Sequence, residues 1–252
     1  MDLSDLTVES LAAHLGARPV RSYPALLSTD AEALAWARAG APQGAVVISG
    51  YQASPRGRGG IPWIVDPDSS LTFSLILRPH WPSFREGWLY TVVTMALADV
   101  IGENATIEWP DEVRVRGQRA AGIGGYVELL DRQTSWAVAT VHVSEAPPPR
   151  GPRLRRILEA VEARYGATTD AVLADYLSRC ETIGRRVRAC MVPLGPAGPV
   201  IEGKAVSALL DGSLVLETAD GRSIAVRPQN LGVLEEAPPL SEEPGPGPQA
   251  PA

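Results

Sequence analysis

An apolar run, Ala45 to Tyr51, passes straight into Gln52-Ala53-Ser54-Pro55-Arg56-Gly57-Arg58-Gly59-Gly60-Ile61-Pro62-Trp63, and this junction constrains the fold more than any other stretch. Such a run reads as a buried strand, which must pair in a sheet and release the chain into a loop at its end. Three glycines let that loop bend around a ligand, and two arginines offer forks of donors suited to carboxylate or phosphate oxygens. Taken alone, a basic, glycine-rich loop is equally a solvated turn or a nucleic-acid-binding patch, so the rest of the chain has to decide.

A chain of 252 residues, 45% hydrophobic and 21% charged, is long enough for one main globular domain and a small second one. A net charge of -6 argues against a protein built to coat nucleic acid, which needs a basic face. The first residues are acidic, with no apolar run of signal-peptide length, and stretches such as Val92 to Leu97 are too short to span a bilayer. The expectation is a cytoplasmic protein with no membrane partner. Cys180 and Cys190 have no partners at metal-ligand spacing, so neither a zinc site nor a disulfide framework is expected, and no residue is assigned to a metal.

Helical spacing predicts a leader helix over residues 6–15, a capped helix from Ala31 to Ala39 behind Ser28-Thr29-Asp30, and a core helix from Glu86 to Ile101. Strands are expected at Leu71 to Leu77 and in a hairpin turning at Asp131-Arg132, with His142 packed in its second arm. Pro110 should break the chain between two short strands, exposing Trp109 with Glu108, Asp111 and Glu112 at an acidic turn. Two amphipathic helices follow, Leu154 to Tyr165 and Thr169 to Cys180. From Arg185 on, short strands at Val187 to Val192, Val200 to Leu209, Leu214 to Thr218 and Ser223 to Val226 predict a small β-barrel. The proline- and glycine-rich end, 235–252, should be a disordered tail.

In order and spacing these pieces resemble the bacterial biotin protein ligases, from about Ser28 to Leu234. The segment from Gln52 to Trp63 is similar to that family's Q-x-x-G-R-G-R-x-G-R-x-W loop, keeping Gln52, Arg56, Gly57, Arg58, Gly60 and Trp63. Ser28-Thr29-Asp30 stands where the family has S-T-N, Glu108-Trp109-Pro110-Asp111-Glu112 where it has K-W-P-N-D, and Arg119-Ala120-Ala121-Gly122-Ile123 where it has K-L-A-G-I. The resemblance implies an α+β fold, a mixed sheet flanked by helices in residues 1–183, with an SH3-like barrel in 184–234 and no repressor domain. It implies biotin and Mg-ATP as substrates, biotinyl-adenylate as the intermediate, and transfer of biotin to a lysine of a carboxylase carrier domain. A homodimer is a further expectation. Carried over residue by residue, it assigns biotin binding to Ser28, Thr29, Asp30, Gln52, Arg56, Gly57, Arg58, Arg119 and Gly122. Nucleotide binding falls to Arg58, Trp63, Trp109 and Asp111, and catalysis to Arg119 and Arg58.

Departures from the motifs fall in the same pocket. Arg119 replaces a lysine, keeping the charge but presenting a fork in place of a point. Glu108 puts a carboxylate where the family has a lysine beside the phosphates. Two unit charges ~5 Å apart at an effective dielectric of ~20 interact by roughly 3 kcal/mol, so the expectation is a nucleotide end turned negative and an activity weakened or lost. The glycines expected near Val138 to His142 are absent, which narrows the room for a nucleotide. A non-catalytic biotin- or carrier-binding protein on the same fold is the alternative. Lipoyl or octanoyl transfer ranks last, because the cysteines lie outside the expected pocket.

Overall fold

In the computed structural model, which describes residues 4–195 and 197–238, two sheets carry the chain. A single 3-10 turn, Ser4–Leu6, leads into helix α1, Val8–Leu15, capped by the Thr7 hydroxyl and closed by Gly16 at φ 60°. Strand β1, Val20–Leu26, runs parallel to β2, Val46–Gln52, with helix α2, Thr29–Arg38, as the crossover. Ser28 caps α2, its hydroxyl accepting from the Ala31 N–H.

Strand β3, Leu71–Leu77, is buried along its whole length and lies antiparallel to β2. Helix α3, Trp88–Ile101, is apolar nearly all round because it lies in the core, against the sheet on one side and the later helices on the other. Then come the short strands β4, Ala105–Glu108, and β5, Glu112–Val115, and the long hairpin of β6, Gln118–Leu130, and β7, Gln133–Val143. The resulting seven-stranded sheet has the order β1-β2-β3-β7-β6-β5-β4. Its one face packs on α2 through Val47, Ile76 and Val138, against Ala33 and Ala37. Its other face, through Val46, Phe73, Leu75 and Ile123, joins α3, α4 (Gly151–Gly166) and α5 (Thr169–Arg179) in one core.

Strands β8, Arg186–Met191, β9, Val200–Ala208, β10, Leu214–Glu217, β11, Ser223–Val226, and β12, Leu231–Glu236, form a five-stranded antiparallel sheet in the order β11-β10-β9-β8-β12. Strand β12 is absent from the sequence-based expectation: Gly232 and the glutamates after Leu234 hide a short strand completed by pairing with β8. It also carries ordered chain to Glu236, past the expected start of the tail at 235, while residues 239–252 lie outside the described residues. The mixed sheet, its flanking helices and the second antiparallel sheet are the α+β architecture expected, the second sheet consistent with an SH3-like unit.

Trp109 corrects the sequence reading. It is 2% exposed, because its backbone N–H donates to the Thr182 hydroxyl at 2.9 Å and its indole N–H to the Gly212 carbonyl at 2.8 Å. The turn between β4 and β5 is thus a joint between the two sheets, and no exposed corner.

Candidate active site

The loop after β2 closes into a narrow hairpin of its own. Arg56 and Pro62 form an antiparallel bridge, the Gly57 N–H donates to the Ile61 carbonyl at 2.8 Å, and the Trp63 N–H to the Pro55 carbonyl at 3.0 Å. At Gly57 a Cβ would lie 2.3 Å from the Trp63 indole nitrogen, and at Gly124, on β6, a Cβ would lie 2.9 Å from the Gly57 carbonyl carbon. Only hydrogen at both positions lets Trp63, the loop and the sheet stack this closely.

Arg58 is buried, and its guanidinium faces the second sheet. One terminal nitrogen donates to the Leu231 carbonyl, the other to the Gly232 carbonyl at 3.2 Å, and Nε lies 3.2 Å from Asp111 Oδ1. Burial pushes the Asp111 carboxyl up, against the pull of Arg58.

Between this loop, the β4–β5 turn and β12 lies a cavity of about 280 Å³ lined by Arg58, Trp63, Glu108, Asp111, Glu112, Arg114 and Arg119 among others. Arg58 and Arg119 therefore share one hollow. Its three carboxylates are matched by three guanidinium groups. Glu108 forms an ion pair with Arg114 Nε, Glu112 accepts hydrogen bonds from Arg114 Nε at 3.2 Å and Nη2 at 3.0 Å and lies 3.6 Å from Arg119 Nη1, and Asp111 meets Arg58. Arg185 adds a cation 3.8 Å from Glu108. The negative nucleotide end expected from Glu108 is not what its neighbours make: burial raises the Glu108 carboxyl, Arg114 and Arg185 lower it, and its charge is locally compensated.

Arg119 has buried donors to spare. Its guanidinium carbon stands 5.5 Å from the Trp63 ring centroid, and Nε and Nη2 are buried with no hydrogen-bond partner. A Cβ on Gly122 would sit 2.2 Å from Nη2, so this glycine makes room for the side chain to curl over β6. Behind Trp63, at a ring distance of 5.6 Å, His142 bonds Thr72 at 3.0 Å; burial and the Arg119 charge hold its pKa at about 4.

On another side of the same loop is a hollow of about 260 Å³ lined by Asp30, Arg56, Gly57, Gly124, Tyr126 and Thr140 among others. Asp30 Oδ1 is buried there without a partner. Next to it hydroxyls link α2 to the sheet, Ser74 on β3 donating to Thr29 at 2.9 Å and bonding Thr140 on β7 at 2.8 Å, and Gln52 Oε1 accepts the Thr29 N–H at 2.7 Å. The residues singled out from sequence thus fall into two groups. Ser28, Thr29, Asp30, Gln52 and Arg56 gather on the α2 side, while Arg58, Trp63, Trp109, Asp111, Arg119 and Gly122 gather toward the second sheet. Gly57 is the wall shared by loop, sheet and Trp63.

Sequence reasoning missed Arg114, Gly124, Gly125 and β12. Arg114 could have been found as a basic residue two positions after Glu112 on a short strand. Gly124 and Gly125 pair with Thr140 and Ala139, so glycines expected on β7 are supplied across the ladder by β6. Among the described residues no group of three or more His, Cys, Asp or Glu is placed to hold a metal ion, and no helix is long and apolar enough to cross a membrane.

No protein-family model matches the chain. Its sequence is 28% identical over 225 residues to the biotin--[acetyl-CoA-carboxylase] ligase of Mycobacterium tuberculosis, covering 79% of this chain and 83% of that protein. The structure resembles the biotin protein ligase of Aquifex aeolicus in complex with biotin and ATP, with a TM-score of 0.64 at 17% identity, over 87% of this chain and 99% of that one. It also resembles the biotin acetyl coenzyme A carboxylase synthetase of Helicobacter pylori with bound biotinylated ATP, with a TM-score of 0.58 at 16% identity, over 83% and 100% of the two chains. The fold is that of the biotin protein ligases. Sequence similarity along most of the chain, alongside that fold, is to a bacterial biotin--[acetyl-CoA-carboxylase] ligase.

Proposed function

We propose that this protein joins biotin to ATP as biotinyl-adenylate and passes the biotin to a lysine of a carboxylase carrier domain. The observation that carries the reading is Arg119, whose two unpartnered buried donors lie at the cavity shared with Arg58, on the ring of Trp63. When the biotin carboxylate attacks the α-phosphorus and pyrophosphate leaves, negative charge builds on oxygens that a guanidinium can grip in pairs. The hollow on the α2 side would take the biotin rings, with Asp30 and the Thr29–Ser74–Thr140 hydroxyls as polar contacts. Trp63 and the hairpin would keep water from the mixed anhydride until the carrier amine attacks it and AMP leaves. Residues 1–183 are the ligase unit in this reading and 184–234, with the last two residues of strand β12, the SH3-like unit.

A second reading, a protein that binds biotin or its carrier without adenylation, is favoured by Arg58, whose guanidinium is taken up by two carbonyls and Asp111. Biotin-dependent exchange of labelled pyrophosphate into ATP separates them. Exchange above a buffer blank supports the ligase; biotin binding by calorimetry in folded protein that exchanges nothing supports the second reading and removes the first.

A further inference from the structure

We propose that Arg114 supplies a second positive charge, beside that of Arg119, that meets the phosphates of ATP in this cavity, an inference that rests on the ligase reading and adds a residue to the same site. Position 108, where the resembled family carries a lysine, closes β4 with a carboxylate, and Glu112 stands opposite it in register on β5. Arg114, two residues further along β5, bridges both: it donates from Nε and Nη2 to Glu112 at 3.2 and 3.0 Å, and Nε also forms an ion pair with Glu108. Its Nη1 donates to the Gly117 carbonyl at 3.2 Å, so the side chain is held from three directions while lining the cavity. A guanidinium has five N–H donors; these contacts use three and leave two for phosphate oxygens. Glu108 and Glu112 also raise the Arg114 pKa, keeping the group charged.

The other cations are placed for other contacts. Arg58 is turned to the carbonyls of β12, Arg119 lies on Trp63, and Arg185 reaches Glu108 at 3.8 Å while also pairing with Glu236. The lysine of the resembled motif has in effect been exchanged across a strand pair: the acid now ends β4 and the base stands on β5. Glu108 aims the cation.

Calorimetric titration of Mg-ATP at saturating biotin tests this on the full chain, with melting temperatures taken in parallel. Arg114→Gln should weaken ATP binding by at least about tenfold while biotin affinity stays within about twofold, since the biotin hollow is lined by other residues. Exchanging the pair, Glu108→Lys with Arg114→Glu, should bring ATP affinity back to within about threefold of the wild type, because a cation is again held by a carboxylate at the same wall. A lower melting temperature with unaltered ATP affinity in folded Arg114→Gln overturns the proposal, as does an exchanged pair that folds and binds no ATP, or a wild type that binds none. Pyrophosphate exchange by a wild type whose ATP affinity ignores Arg114 removes this inference and leaves the ligase reading standing.

Discussion

Arg119 and Glu108 are three contacts apart along one row of alternating charge, Glu108 to Arg114 to Glu112 to Arg119, and each position answers to its neighbours. Replacing Glu108 with lysine, the residue of the resembled motif, therefore sets a third cation beside Arg114 and Arg185. At ~4 Å and an effective dielectric of ~20 each like-charge contact costs up to about 4 kcal/mol, reduced by partial exposure, so Glu108→Lys alone should lose about 1–3 kcal/mol of stability in urea unfolding. His142 gives a pH dependence. Its pKa is about 4 in the fold against 6.5 ordinarily, so between these values the unfolded chain takes up a proton that the folded chain refuses. The stability present above pH 6.5 should fall by up to about 3 kcal/mol as the pH drops through 4. In His142→Gln the part of that slope due to this residue should vanish, as unfolding free energies at pH 7 and pH 4.5 would reveal; an unchanged slope would contradict the assignment.

Among the elements, the glycine-rich hairpin and β12 depend on each other through Arg58. Removing its charge leaves Asp111 buried beside an unpaired environment and two β12 carbonyls without donors, a loss of about 3–5 kcal/mol by the usual cost of breaking a buried pair. Arg58→Gln should show that loss and faster amide exchange in both 53–63 and 231–236; exchange confined to the loop would refute the coupling. Strands β2 and β3 and helix α3 were legible in the sequence because their apolar residues repeat at the period of one element. Neither β12 nor Trp109 was, since the first is completed by a partner 40-odd positions away and the second is buried by Gly212 and Thr182, which no local pattern reveals.

For the whole molecule, the two sheets are one cooperative body only if their joints hold, and Trp109 is the simplest to probe. Trp109→Phe keeps the ring contact and deletes the indole N–H bond to Gly212, so unfolding should stay a single transition with about 1–2 kcal/mol less stability. The motifs singled out Arg58, Trp63, Asp111 and Arg119, and the fold sets them around one hollow. Its charge was not readable, because Glu108 looks unpaired until β4 and β5 are laid side by side. The central claim is that Arg119 is the cation of an adenylating pocket. The direct measurement is biotin-dependent ATP–pyrophosphate exchange by the wild-type protein and by Arg119→Ala, both shown to be folded. The account predicts exchange in the wild type and a fall of about 100-fold or more in the variant. Equal rates in the two proteins, or no exchange by the wild type above a blank, would contradict it.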